Sequence, residues 1–256
     1  MPLNVDVMVF DSGVGGLSVL EAIRKHAPHL SYCFVGDSAG LPYGDKSDAW
    51  LVDRVPRVIA GALEKVQCQL LVVACNTAST IVLPPLRSQF SFPVIGVVPA
   101  IKPAAALSSS KIIGLLATPA TIKRPYTDAL IEEFARDCRV IKVGSSRLVA
   151  IAEEKMRGHP VSRDELMNIL KPFADSNPDV VVLGCTHFPL LHQEIAELLP
   201  SIRWIDSGAA VAKRVLHYQL EPAIDALQGA SFFTQDDLVL SDISSFGLTS
   251  LEILTV

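Results

Sequence analysis

Apolar residues along the chain fall into two alternating kinds of segment. Apolar-rich runs at residues 5–10, 32–36, 71–74, 92–98, 111–117, 139–143, 180–183 and 202–205 read as strands, and those at 71–74 and 180–183 carry no polar residue, as expected of strands covered on both faces. Between them, apolar positions recur at helical spacing: Val14, Leu17, Leu20 and Ile23 behind the first run, then Leu51, Val52, Val55, Ile59, Leu63 and Val66 as one broad stripe. Asp48 is the expected cap of that second helix. Further helices are predicted over 119–134, from the capping box Ser162-Arg-Asp-Glu165 towards Phe173, and over 190–199, whereas Pro84-Pro85 should interrupt whatever helix follows residue 80. Strands alternating with helices throughout predict an α/β protein with mostly parallel sheets. The pattern restarts near 98–111, and the series from 5 to 75 and from 111 to 185 have similar layouts, so two pseudo-symmetric lobes are expected.

Chemistry-bearing residues collect at strand ends, where open α/β sheets bind ligands. Leu71-Leu-Val-Val-Ala runs into Cys75-Asn76-Thr77, and Val180-Val-Val-Leu-Gly184 into Cys185-Thr186-His187. The stretches look like copies, each delivering a thiol followed by hydrogen-bonding side chains. A first turn, Asp11-Ser12-Gly13-Val14-Gly15-Gly16, leads from strand to helix and offers free backbone N–H groups to an anion. It has neither the dinucleotide spacing nor the lysine of a phosphate loop.

The 256 residues can hold one large or two modest domains, and with half of them apolar the chain can bury a sizeable core. A formal charge of −5 with scattered basic residues argues against a nucleic-acid surface or an electrostatic membrane footprint. No apolar stretch reaches the roughly eighteen residues of a membrane span. Five cysteines, at 33, 68, 75, 138 and 185, are an odd number without a basic leader, so the expected compartment is the reducing cytoplasm, with free thiols. Cys33, Cys68 and Cys138 read as packing or surface residues. Cys185, His187 and His192 lack a partner motif for a metal site, and no lysine carries a Schiff-base signature, so neither metal nor pyridoxal phosphate is expected.

Paired thiols leave several chemistries open. Acyl transfer would use Cys185 with His187 but leaves Cys75 unexplained. Dithiol redox would use both, yet no C-x-x-C is present. Inversion of a stereocentre uses both symmetrically, one removing a proton while the other delivers one to the opposite face. About three per cent of an unperturbed thiol is ionised at pH 7, so such a site must favour the thiolate by roughly 2 kcal/mol. Asp11 and His187, if beside the thiols, would hold or relay protons.

Four stretches together resemble the aspartate/glutamate racemase superfamily, and its glutamate racemases in particular: Phe10-Asp11-Ser12-Gly-Val-Gly-Gly16, Gly36-Asp37-Ser-Ala-Gly-Leu-Pro42-Tyr43-Gly44, Ala74-Cys75-Asn76-Thr77-Ala78-Ser79 and Leu183-Gly184-Cys185-Thr186-His187-Phe188-Pro189. The resemblance implies cofactor-independent interconversion of L- and D-glutamate for peptidoglycan, with Cys75 and Cys185 as the acid/base pair. It assigns Asp11 and His187 to support of the thiols and, among the catalytic residues, matches Glu153 to a carboxylate placed near the histidine. Substrate contacts fall to Asp11, Ser12, Pro42, Tyr43, Gly44, Asn76, Thr77, Thr118, Thr121, Thr186 and His187. It further implies an active site between two lobes, 1–98 plus 208–256 carrying Asp11 and Cys75, and 99–207 carrying Cys185 and His187, and frequently a homodimer. Two stretches depart from the family: Ser145-Ser146 and Ala150 stand where prolines and a cysteine are usual, which bears on Glu153, and Ala39-Gly40-Leu41 replaces a bulkier or basic stretch. No long N-terminal extension of the kind found in precursor-activated members precedes the first strand, so that regulation is not expected. The alternatives are a racemase for aspartate or another amino acid, and a non-catalytic amino-acid-binding protein.

Overall fold

The computed structural model describes residues 3–223, 225–235 and 237–256. The chain divides into two compact units, one reaching Val97 and resuming over Gly208–Val256, the other Val98–Ser207. In chain order the elements are β1 (Leu3–Asp11), α1 (Leu17–His26), β2 (Tyr32–Gly36), α2 (Asp48–Leu63), β3 (Val66–Val73), α3 (Asn76–Gln89) and β4 (Val94–Gly96). There follow α4 (Ile101–Leu107), β5 (Ile112–Ala117), α5 (Pro119–Lys123), α6 (Pro125–Phe134), β6 (Arg139–Gly144), α7 (Arg147–Met156), α8 (Arg163–Ser176), β7 (Val180–Leu183), α9 (His192–Leu198) and β8 (Arg203–Ile205). The chain closes with α10 (Gly208–His217), β9 (Ala230–Phe233), α11 (Leu240–Ile243) and β10 (Ser250–Ile253).

Both sheets are parallel at every described pairing, in the order β10-β9-β2-β1-β3-β4 in the first unit and β6-β5-β7-β8 in the second. The α/β reading of the apolar-rich runs therefore holds, and its cause is burial: residues 5–10 of β1 and all four of β7 are out of contact with solvent.

Several local expectations need correction. Ser47, not Asp48, caps α2, accepting the Trp50 amide at 3.2 Å, and the helix ends at Leu63, so Val66 opens β3 instead of extending the stripe, while Val52 lies exposed. Helix α3 runs through Pro84-Pro85. The carbonyls deprived of donors belong to Thr80 and Ile81, both half-buried, where water can serve them. The single helix expected over 119–134 is two, because Pro125 starts a new one after an extended Arg124. The helix expected over 190–199 begins as a 3-10 turn at Phe188–Leu191 and becomes α9 at His192. Ser162 does cap α8, accepting the Glu165 amide at 3.3 Å.

Buried or half-buried carboxylates pin loops to strand beginnings. Asp6 accepts from Ser31 N and Oγ, both 2.7 Å, from Gln69 Nε2 at 2.7 Å and from the Ala223 amide at 2.8 Å, which fastens the segment beyond α10 to β1. Asp179, just before β7, accepts from Ser108 Oγ at 2.6 Å and the Ser109 and Ser110 amides at 2.7 and 2.8 Å. Burial works to raise the Asp179 pKa, but those donors outweigh it and hold it at about 2. Its contribution to stability is therefore full above the unfolded-state value of about 3.9 and lost as pH falls through about 2. Asp179→Ala is expected to lower the urea midpoint at pH 7, with the difference from the parent narrowing below about pH 4; equal midpoints at pH 7 would show that the serine cluster does not depend on the carboxylate.

Candidate active site

In the first unit the site grows from the carboxyl ends of β1 and β3. The Ala74 amide donates to Phe10 O at 2.7 Å, the last bond of that ladder, and Cys75 follows as the N-cap residue of α3. The Cys75 thiol, 5% exposed, lies 3.8 Å from Ser12 Oγ. Asp11 is fully buried, and its Oδ2 accepts the Gly16 amide at 2.9 Å, so the glycine turn holds the carboxylate in place. A Cβ at Gly16 would stand 2.6 Å from Asp11 Cβ, which is why this turn takes glycine there. Asn76 and Thr77 form the buried first turn of α3, and Asn76 Oδ1 finds no donor among the described residues.

Pro42, Tyr43 and Gly44 belong to the loop after β2. The Tyr43 ring packs 6.4 Å from Phe10 and 5.8 Å from Trp50, and its hydroxyl donates to Asp37 Oδ2 at 2.7 Å. Burial, then Asp37, then the charges of Cys75 and Asp11 push the Tyr43 hydroxyl well above its ordinary pKa. Tyr43 thus shares one electrostatic neighbourhood with the thiol and the carboxylate.

The second unit repeats the plan. The Gly184 amide donates to Leu116 O at 2.7 Å as the last bond between β7 and β5, and Cys185 comes next, 7% exposed. His187 Nδ1 is 3.9 Å from Cys185 Sγ, and its Nε2 is 2.8 Å from Glu153 Oε1. Arg157, one turn along α7, lies 3.2 Å from the other oxygen of Glu153. Lys155 bonds Leu190 O at 2.8 Å and Glu194, so α7 also clamps the turn behind the histidine. Burial works against a charged His187, but its contacts with Cys185 and Glu153 outweigh that and raise its pKa well above the usual value.

The departure at Ser145-Ser146 does not displace Glu153. Ser145 Oγ accepts the Leu148 amide at 3.2 Å, α7 starts normally, and Glu153 sits on its buried face. Thr118 caps α5: its Oγ1 accepts the Thr121 amide at 3.3 Å and donates to Thr121 Oγ1 at 3.0 Å, beyond the end of β5. Thr186 is buried beside Cys185. Within the first unit the structure gathers Asp11, Ser12, Tyr43, Cys75 and Asn76; within the second it gathers Cys185, Thr186, His187 and Glu153. Sequence reasoning missed Asp37, Arg54 and Arg157 as site-building residues. Arg157 had a signal, its i,i+4 spacing from Glu153. Among the described residues no three His, Cys, Asp or Glu side chains are grouped as metal ligands.

Each parallel α/β unit carries a buried thiol at a matching strand end, Cys75 near Ser12 and Cys185 near His187, an arrangement of the amino-acid racemase class. The chain belongs to the Asp/Glu/hydantoin racemase family, which matches residues 17–215. Glutamate racemase of Klebsiella pneumoniae is 52% identical over 223 residues, 86% of this chain and 79% of that protein. The Escherichia coli glutamate racemase, in complex with L-glutamate and the activator UDP-MurNAc-Ala, superposes with a TM-score of 0.91 at 45% identity over 100% of this chain and 99% of that one. The Francisella tularensis enzyme in complex with D-glutamate gives 0.79 at 25% identity, covering 98% of each chain.

Replacing the Glu153 anion tests the electrostatics directly. Glu153→Gln is expected to lower the His187 imidazole pKa from its raised position towards the ordinary value of about 6.5, read by NMR titration of the ring. An unmoved titration would mean that Glu153 does not hold the proton on His187.

Proposed function

We propose that the protein interconverts L- and D-glutamate by two-base proton transfer between Cys75, Cys185 and the substrate α-carbon. The observation that carries this reading is the pair of thiols, each one residue past the last ladder bond of a central parallel strand, in a chain about half identical to glutamate racemases. In the L to D direction the Cys185 thiolate takes the α-proton and the Cys75 thiol delivers its own to the opposite face. The product leaves the thiols in swapped protonation states, ready for the reverse direction. This requires both thiols to reach one α-carbon from opposite sides.

The surroundings of each thiol fit its task. In this mechanism the His187 imidazolium, stabilised by Glu153, is the cationic partner of Cys185. In the first unit Asp11, next to Ser12 in the chain, would take up or return the proton of the Cys75 thiol. The orphaned Asn76 Oδ1 suits the substrate ammonium, while the amides at the start of α3, with Ser12, suit a carboxylate. Tyr43 and Gly44, with Pro42, and on the second unit Thr118, Thr121 and Thr186 complete the proposed substrate contacts. The reaction moves only protons and needs no cofactor. As in the family at large, we place the activity in the cytoplasm, in supply of D-glutamate to peptidoglycan, with a homodimer as the working form. Among the described residues no helix is long and apolar enough to cross a membrane.

In heavy water, L-glutamate incubated with the protein is expected to lose optical activity and its α-proton signal together. Loss of neither would favour a binding protein, and activity on aspartate alone would keep the mechanism and change the substrate. Cys75→Ala and Cys185→Ala are each expected to lower kcat by about a hundredfold to ten-thousandfold with the fold intact by circular dichroism, since each removes one proton-transfer group. Full turnover in either variant would sink the two-thiol assignment.

A further inference from the structure

We propose that Arg54 is a positioning residue for the reaction: through Asp37 it fixes Tyr43, and with it the 42–44 turn, beside Cys75. This rests on the racemase reading of the site. Asp37 directly follows β2, is completely buried, and donates its amide to Asp11 O at 2.9 Å. Its carboxylate collects four side-chain donors. Arg54 Nη2 reaches Oδ1 at 2.7 Å and Arg54 Nε reaches Oδ2 at 3.1 Å; Tyr43 Oη adds 2.7 Å to Oδ2, and Thr234 Oγ1 adds 2.7 Å to Oδ1. Thr234 Oγ1 also accepts the Ala39 amide at 2.9 Å.

A buried ion pair of this kind adds little stability over apolar residues of the same volume, because desolvation offsets the attraction. Its yield here is geometric. The donors come from three separate segments, α2, the 42–44 turn and the residue after β9, and all converge on one carboxylate tied by its own backbone to Asp11. The packing around them has no slack: a Cβ at Gly40 would lie 2.5 Å from Asp37 Oδ2 and 2.9 Å from both Trp50 and Tyr43. Burial works to raise the Asp37 pKa, but the bonds from Arg54, Tyr43 and Thr234 and the Arg54 charge hold it below the ordinary carboxylate range. Without Arg54 the anion would be uncompensated, and the carboxylate would protonate or admit water. Tyr43 would then lose its fixed acceptor. The thiols would keep their chemistry; the wall against which substrate is held would loosen.

The expected signature is a split between binding and turnover. Arg54→Gln should raise KM for both glutamate enantiomers roughly tenfold or more while kcat changes by less than about threefold, and Arg54→Lys, which keeps the charge but not the bidentate fork, should recover part of the loss. If Arg54 acts through Tyr43, adding Arg54→Gln to a Tyr43→Phe background should raise KM little further. An unchanged KM in Arg54→Gln, or the same rise in both backgrounds, overturns the proposal. Should Arg54→Gln fail to fold by circular dichroism, Thr234→Val removes one donor without stranding a charge and should still raise KM selectively; no rise overturns the proposal. If the parent protein racemises no amino acid, the reaction reading fails on its own. Positioning is then read from acrylamide quenching of tryptophan fluorescence, which should increase in Arg54→Gln as Trp50 loses its contact with Tyr43; equal quenching overturns it.

Discussion

The structure depends on where two parallel ladders stop. In each unit the residue before a cysteine makes the final inter-strand bond, Ala74 to Phe10 and Gly184 to Leu116, both 2.7 Å, and the thiol is the next side chain along. A buried parallel strand must satisfy every amide and carbonyl through its neighbours, so its register cannot drift, and a group fixed one residue past its end inherits that rigidity. Loops could place a thiol near a substrate. Ladder ends place it reproducibly, which matters for a transfer in which a misplacement of about 1 Å can cost about a hundredfold in rate.

Identical positions do not give identical environments. Cys75 lies among Ser12, Tyr43 and the start of a helix, with Asp11 locked by the glycine turn. Cys185 faces an imidazole whose far nitrogen is engaged by Glu153, itself backed by Arg157. A carboxylate disfavours a neighbouring anion, whereas an imidazolium favours one. A symmetric pair of groups is thereby given unlike surroundings, and the proposed reaction, which begins with one thiolate and one thiol, makes use of that difference.

The sequence made strands legible because parallel burial leaves apolar-rich runs, and it made the thiols legible because both sit at the ends of such runs. Helix boundaries were harder to read. Pro84-Pro85 reads as a break, yet α3 continues because the carbonyls it strands are half-exposed, while Pro125 does break a helix that periodicity alone would continue. Glu153 and His187 are 34 residues apart, so no spacing rule joins them; the family resemblance paired them, and the structure supplies the 2.8 Å contact. Arg54 was invisible for a different reason. On an amphipathic helix an arginine beside apolar positions reads as a solvated edge, and only the fold shows that its head turns inward to Asp37.

The sheet of the first unit is assembled from distant parts of the chain. Its β9 and β10 follow the whole of the second unit in sequence, and Asp6 in β1 waits for the Ala223 amide just as Asp37 waits for Thr234. On a ribosome, residues 98–207 emerge as a continuous piece with all four strands of their own sheet before β9 exists. Until then the β2 edge of the first sheet lacks its partner, and Asp6 and Asp37 each lack one donor, the Ala223 amide and the Thr234 hydroxyl. Synthesis order therefore favours completing the inserted unit first, and leaves the enclosing one to close only when the last fifth of the chain arrives.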